Sequence, residues 1–287
     1  MKHLSYLLLV LVIGACASRK EGWQKETETV SLSAVDEARI LADAKALWSQ
    51  RVETDKLRQS LAKFDELHRA RPGALEPLTY LTRGYYFLAD AHLPDGAQKK
   101  ETYELAAAYG EKAMATNDDF RKSVAGGKSV EESLGALTAQ EVPAIYWSAA
   151  SLGKWAKASG IAAALKYKTR IKAMIERVEK LQPDYFYGAT ARYWGGYYAV
   201  APSFAGGDLK KSRSNFDKSL KAAPEYLGTR VLMAEVYATK TQDRKLFEAL
   251  LKEVLSSTED RHPELGPENT WEKKKAQRLL TNADELF

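Results

Sequence analysis

The sequence predicts an all-α fold of stacked helical hairpins, an α-solenoid, and three observations carry that expectation. Only 18 glycines and 9 prolines are spread among 287 residues rich in Ala, Leu, Lys and Glu, a balance that favours helix over a turn-rich β fold. Apolar residues recur at the helical period in one segment after another. One set of intervals also recurs: Ser60, Phe64, Leu67 and Pro72 are matched by Ile171, Ile175, Val178 and Pro183, and again by Ser212, Phe216, Ser219 and Pro224. With 45% hydrophobic and 28% charged residues, the chain is globular and long enough to bury a large core.

The first helix opens at Ser33, an N-cap with Asp36 at N3, and its stripe of Ile40, Leu41, Ala44, Leu47 and Trp48 runs to about Arg51. Thr54 caps the second, which carries Leu57, Leu61, Phe64 and Leu67 until Arg71-Pro72-Gly73 breaks it. Pro77 suits the first turn of a third helix with Leu78, Leu81, Tyr85 and Leu88. The run Asp90 to Gly96, with Pro94-Asp95-Gly96 as its turn, separates this helix from the next, at about Lys99 to Thr116. From Asn117 to Gln140 the pattern is irregular, with a loop at Gly126-Gly127 and a capping box at Ser129-Val130-Glu131-Glu132. Pro143 starts the helix holding Tyr146, Trp147, Leu152 and Trp155, and the next runs from Gly160 to Pro183. In the aromatic stretch Asp184 to Asp208, residues Tyr185, Phe186, Tyr187, Tyr193, Trp194, Tyr197 and Tyr198 read as one helix stopped by Pro202, before a glycine turn at Gly206-Gly207. Helices then follow at about Leu209 to Ala222, Glu225 to Thr239, Asp243 to Ser257 and Glu268 to Phe287, making about eleven in all.

The recurring intervals are those of the second helix of a tetratricopeptide repeat, where a small or apolar residue and an aromatic pack between helices and proline ends the hairpin. First-helix echoes stand at Tyr80, Gly84, Phe87, before a looser match at Ala106, Gly110, Ala113 and Asp118, and at Ala191, Trp194, Gly195, Tyr198, before the third full match. Insertions separate the helices, so the repeats are degenerate. Each hairpin leaves one apolar face uncovered, and stacking the next one covers it. The last helix, with Trp271, Ala276, Leu279, Leu280, Ala283, Leu286 and Phe287, is expected to seal one end of the stack.

The N-terminus reads as an export signal: Lys2 and His3 are basic, Leu4 to Val12 are apolar but too short to span a membrane, and small residues follow. Ile13-Gly14-Ala15-Cys16 resembles the bacterial lipobox, and Cys16 is the only cysteine. The expected organisation is a lipoprotein signal peptide over 1–15, a lipidated cysteine with a flexible tether over 16–32, and a single helical domain over 33–287. Several acyl chains on Cys16 would hold the protein stably on a membrane. The formal net charge of +5 is modest, and lysine runs such as Lys273 to Lys275 read as solvated helix faces, so nucleic acid is not an expected partner.

No catalytic pattern stands out. His68, His92 and His262 are far apart in sequence and lack metal-ligand spacing, and GxSxG, GxxxxGK[ST] and GxGxxG are missing, so neither an enzyme nor a cofactor or metal is expected. A lone glutamate acting as the general acid of a muramidase is the one enzymatic reading that leaves no signature. Gly206-Gly207-Asp208 reads as a turn with an aspartate N-cap in preference to an anion-binding nest. The aromatics are more telling. Tyr193, Trp194, Tyr197 and Tyr198 sit on adjoining sides of one helix, so one neighbour cannot bury them all, and some are candidates to line a groove or channel with Arg192 as a polar contact.

These features resemble the T component associated with tripartite (TRAP-type) transporters, the TatT family of bacterial lipoproteins. The likeness covers most of the mature chain and is best in AIYWSAASLGKW from Ala144, in Gly188 and Gly195-Gly196-Tyr197, in the SFAGGD turn, in Asp243 to Leu255, and in the closing ENTWEKKKAQRLLTNADELF. The resemblance implies a periplasm-facing lipoprotein that associates with the periplasmic substrate-binding protein of a TRAP transporter and with itself. It also implies a channel or cavity able to pass or hold a small hydrophobic or carboxylate ligand. Mapped onto this chain, Trp147, Tyr193, Trp194 and Tyr197 would line that space, and Gly206, Gly207 and Asp208 would shape its edge. By likeness to enteric lipoproteins, Ala17 after the cysteine points to the outer membrane. The alternative reading is a general envelope scaffold or outer-membrane assembly lipoprotein that binds other proteins through its repeats.

Overall fold

The computed structural model describes residues 19–258 and 262–287, and among these there are thirteen α-helices and no strands. Helices α1 (Ala34–Ser49), α2 (Thr54–Ala70), α3 (Leu75–Phe87) and α4 (Ala97–Met114) form two hairpins. Two short helices, α5 (Asp118–Ala125) and α6 (Val130–Ser133), cross the irregular region. Then come α7 (Val142–Ala158), α8 (Ile161–Leu181), α9 (Tyr185–Val200), α10 (Leu209–Ala222), α11 (Gly228–Leu232), α12 (Arg244–Ser256) and α13 (Gly266–Thr281). Sequential helices pack as antiparallel neighbours, and α3 also touches α7 across the hairpin between them.

The recurring intervals mark one packing role. Ser60, Phe64, Ser212, Phe216 and Ser219 are all fully buried. Ser60 Oγ donates to the carbonyl of Ala44 at 2.9 Å, and Ser212 Oγ donates to that of Gly195 at 2.7 Å, so each hydroxyl ties the second helix of its hairpin to the first. A Cβ on Gly195 would stand 2.8 Å from the Phe216 ring, which is why glycine fills that site. Phe64, Phe120, Phe216 and Phe247 are the largest fully buried side chains, each contributing roughly 1.5–3 kcal/mol by leaving water.

Several local expectations change. Ser33 accepts from the Asp36 amide at 3.1 Å as a cap should, and the Ser129–Glu132 capping box is complete. Thr54, however, is the first residue inside α2, with Glu53 at the N-cap, because its hydroxyl is taken by His92 Nδ1 at 2.9 Å. The break before α4 is shorter than expected, with Pro94-Asp95-Gly96 in it but not Asp90: α3 continues into a π-helical segment, Leu88–His92, and α11 likewise continues into Met233–Ala238. The aromatic stretch is not one right-handed helix, since Phe186, Tyr187 and Gly188 have φ of 43°, 58° and 69°.

Residues 19–30, expected as tether, are fastened to the body. Arg19 forms a two-pronged ion pair with Glu111 at 2.6 and 2.8 Å, and the Gly22 amide donates to Glu111 Oε2 at 2.6 Å. Trp23 packs edge-on to buried Phe120, and the Val30 amide reaches the Arg69 carbonyl. Polar composition had suggested a solvated linker; a buried carboxylate on α4 recruits it instead. Cys16 and the signal segment lie outside the described residues.

Helix α13 also does more than cap the stack. Ala276, Leu279, Leu280 and, beyond the helix, Ala283 and Phe287 do pack against the last hairpin. Its N-terminal half turns back to the first hairpins. Glu268 accepts from Arg51 at 2.5 Å and from Arg83 at 2.8 Å, and Trp271 Nε1 donates to Asp90 at 3.0 Å. The chain's end is thereby joined to its beginning around a central space.

Candidate functional site

That space is a cavity of about 700 Å³, within the ~300–1,000 Å³ typical of small-ligand sites. Its wall comes from the inward faces of α3, α7, α9 and α11, from the first half of α8, from the two π-helical segments, and from the first half of α13. The π-helical segments matter here: the first contributes Asp90, the second Glu235 and Val236, a placement common for π-bulges at functional sites.

One side of the wall is aromatic. Tyr86 and Tyr146 both pack on Trp147, with ring centres 5.2 Å apart for Tyr86–Trp147 and 5.0 Å for Tyr146–Trp147. Phe186 closes against Trp147 at 4.8 Å, and its left-handed backbone puts it there. The Arg83 guanidinium lies 4.7 Å from the Phe186 ring centre, and Arg192 lies 4.3 Å from that of Tyr226.

The other side holds charge in pairs. Asp90 accepts from Lys154 at 2.7 Å, from Trp271, and from Tyr103 at 2.9 Å, with Lys275 at 3.5 Å. Burial alone would raise the Asp90 pKa, yet Lys154 and Lys275 pull it well below the carboxylate range. Glu272 binds Lys275 at 2.7 Å through one oxygen; its other oxygen is buried without a hydrogen-bond partner, and burial raises its pKa. Glu268 is bound by two arginines.

Arg192 is different. It is 6% exposed and lines the cavity, and its guanidinium donates only to neutral oxygens: the Tyr187 carbonyl at 2.9 Å, the Phe186 carbonyl at 3.3 Å and Thr229 Oγ1 at 3.5 Å. Among the described residues no carboxylate pairs with it. A buried guanidinium stacked on tyrosine, beside aromatic walls, is suited to a carboxylate carried on an apolar body.

Of the residues singled out from sequence, Trp147, Tyr193 and Tyr197 stand on the cavity wall. Trp194 does not: it is buried on the other side of α9, with Nε1 donating to Glu179 at 3.1 Å. Gly206, Gly207 and Asp208 are also off the wall. Gly206 takes the left-handed conformation at φ 95°, and Asp208 accepts from the amides of Lys210 and Lys211 as the cap of α10. The turn touches the site at second hand, because the Ala205 carbonyl accepts from both Tyr197 and Lys168, which are wall residues.

Sequence reading missed the contribution of α13. Glu268, Trp271, Glu272 and Lys275 fall at i, i+3, i+4 and i+7, one helical face, and that spacing was the available signal. Lys275 accordingly turns inward instead of forming a solvated run with Lys273 and Lys274. The histidines stay separate, and no group of three or more His, Cys, Asp or Glu among the described residues is arranged to hold a metal. No helix among them is long and apolar enough to cross a membrane.

A family model described as TRAP transporter T-component matches residues 89–287, well over half of the chain. No curated protein matches. The matched span begins at Ala89, so it takes in Asp90 and every wall residue from α7 onward.

Proposed function

The chain belongs to the TRAP transporter T-component family, an accessory component of TRAP transport, and from that premise we propose that it holds a small amphipathic organic anion for a periplasmic substrate-binding protein. In this reading the protein is a periplasm-facing lipoprotein, anchored through Cys16 at the outer membrane, that docks the substrate-binding protein of such a transporter and associates with itself. The observation that carries the ligand class is Arg192: a buried guanidinium facing an aromatic cavity, with the wall carboxylates Asp90, Glu268 and Glu272 each already paired with another cation. Aromatic faces supply the apolar binding area, and the guanidinium supplies the charge that fixes orientation.

Calorimetry with aromatic and aliphatic monocarboxylates, each set against its amide, tests the ligand. The acid should bind about tenfold or more tightly than the amide, the range of a charge-assisted hydrogen bond. Arg192→Met should erase that difference and Arg192→Lys should keep part of it. Equal binding of acid and amide by the parent chain would remove the carboxylate reading. Cross-linking in cells tests the partner: capture of a solute-binding protein is expected, and recovery of barrel-assembly proteins in its place would favour the scaffold reading.

A further inference from the structure

Beside the mouth of the cavity stand apolar side chains that nothing among the described residues covers. Ile161 and Leu165, one turn apart at the start of α8, are 80% and 63% exposed; Val200 at the end of α9 is 63% exposed; Phe204, in the following turn, is 92% exposed. Ile161 and Val200 are themselves rim residues of the cavity, together with Lys157 and Gly160. Leu165 lies on the face of Ile161. Phe204 is held near them because Lys168 of α8 donates to the carbonyl of Ala205, its neighbour, at 2.9 Å.

The charges around these tips are of one sign. Lys157, Lys166 and Lys168 flank the first tip, and Lys210 and Lys211 flank the second. Between residues 155 and 175 there is no acid, and between 197 and 216 only Asp208, which is spent on the α10 amides. Across the mouth Glu235 is the exposed acid of the rim. Lysine is depleted from protein interfaces, which centre on Tyr, Trp and Arg anchors. Aliphatic and Phe tips ringed by lysines fit a bilayer, where the apolar ends enter the acyl boundary and lysines reach anionic headgroups.

The entry of the chain lies on the same side. Arg19 stands 6.0 Å from the Trp155 ring centre on α7, and Glu21 pairs with Arg170 on α8 at 2.7 Å. Cys16 is three residues before Arg19, a reach of at most about 11 Å of extended chain.

We propose that the α7–α8 tip and the Ser203–Ala205 turn rest on an anionic lipid surface, so that the cavity opens toward the membrane. The Cys16 anchor belongs to the functional reading above. The docking surface is argued from its own exposed residues, and a chain carrying Cys16→Ser separates the two.

In that full-length chain an environment-sensitive fluorophore is placed at Leu165→Cys and, as reference, at Lys128→Cys in the exposed turn before α6. Vesicles of phosphatidylethanolamine and phosphatidylglycerol with brominated acyl chains should blue-shift and quench the label at 165 and leave the one at 128 unchanged. The effect should fade in phosphatidylcholine vesicles and at high salt. Ile161→Asp with Phe204→Asp, two exposed sites that do not contribute to the core, should lower the vesicle-bound fraction about tenfold with an unchanged melting curve. A label at 165 indifferent to vesicles overturns the proposal. So does a label that becomes buried without lipid, either on raising the protein concentration or on adding a solute-binding protein, since the occupant would then be a protein.

Discussion

Phe186 and Tyr187 hold left-handed backbone angles that cost a non-glycine residue roughly 1–2 kcal/mol each. Arg192 offsets this by donating to both carbonyls, which no helix would otherwise satisfy, and the turn in exchange sets the Phe186 ring against the wall residue Trp147. Only Gly188 hinted at the turn in the sequence, because aromatic residues carry no mark of positive φ. Gly22 is constrained in the opposite way: any Cβ there would collide with the Ala108 carbonyl. Gly22→Ala should therefore loosen residues 19–30, cost about 1–3 kcal/mol, and speed proteolysis after Lys20 and Lys25; unchanged proteolysis would mean that the segment is not held through this contact. His68 ties the interior to pH. Burial, with Lys112 nearby, lowers its pKa to about 4 from 6.5. Between those values the unfolded chain binds a proton that the folded one does not, so stability falls as the pH drops from 6.5 toward 4. The full change is at most about 3 kcal/mol. Urea titrations of His68→Gln should show a slope with pH shallower by up to about 1.4 kcal/mol per unit in that window, and parallel slopes would absolve the imidazole.

Helices were legible where their ends carry chemistry of their own. Ser33, Ser129 and Asp208 each cap the helix that their side chains suggested, because a cap is a contact across three residues. Thr54 was misread because a histidine distant in sequence claims its hydroxyl. The π-helical turns were invisible for a related reason: they exist to bring Asp90 and Glu235 to the cavity, a demand made by the whole molecule. Helix α13 combines both cases. Its apolar residues Ala276, Leu279 and Leu280 were read correctly as a lid on the last hairpin, but Trp271 turns to the cavity with the charged face that was taken for solvent-facing. Glu268 on that face neutralises two arginines, buried Arg51 from the loop after α1 and partly buried Arg83 from α3. Glu268→Ala leaves both guanidinium groups without their acid and should cost about 3–5 kcal/mol. Glu268→Gln should cost less, since it keeps an acceptor. Urea midpoints of the two variants check the order, and a neutral effect of Glu268→Ala would show that the first and last helices are not energetically joined.

At the scale of the molecule, the stack of hairpins follows from stripes and recurring intervals, but its closure does not. The Arg51–Glu268 pair spans 217 positions, and no local pattern announces which hairpin end will meet which. The aromatic surplus was the one sequence signal of an interior: Trp147, Tyr193 and Tyr197 exceed what neighbouring helices can cover, and closure of the stack leaves them around an open space. The packing role of Trp194 could not be told from theirs by spacing, because all sit within two turns of α9 or α7. A cavity that serves a ligand differs from one left by poor packing in how it tolerates filling. Ala150 stands on its wall in α7, partly exposed to that space. Ala150→Trp places an indole in a volume of about 700 Å³ that can receive it without displacing a core side chain. Its melting temperature should stay within a few degrees of the parent, as for a substitution of roughly 1 kcal/mol or less, while carboxylate binding measured by calorimetry falls by at least about tenfold. A variant that melts normally and still binds would place the ligand elsewhere. One that melts far lower would show that the space is closed to added volume, so that the ring of helices is a packed core whose arginines serve structure alone.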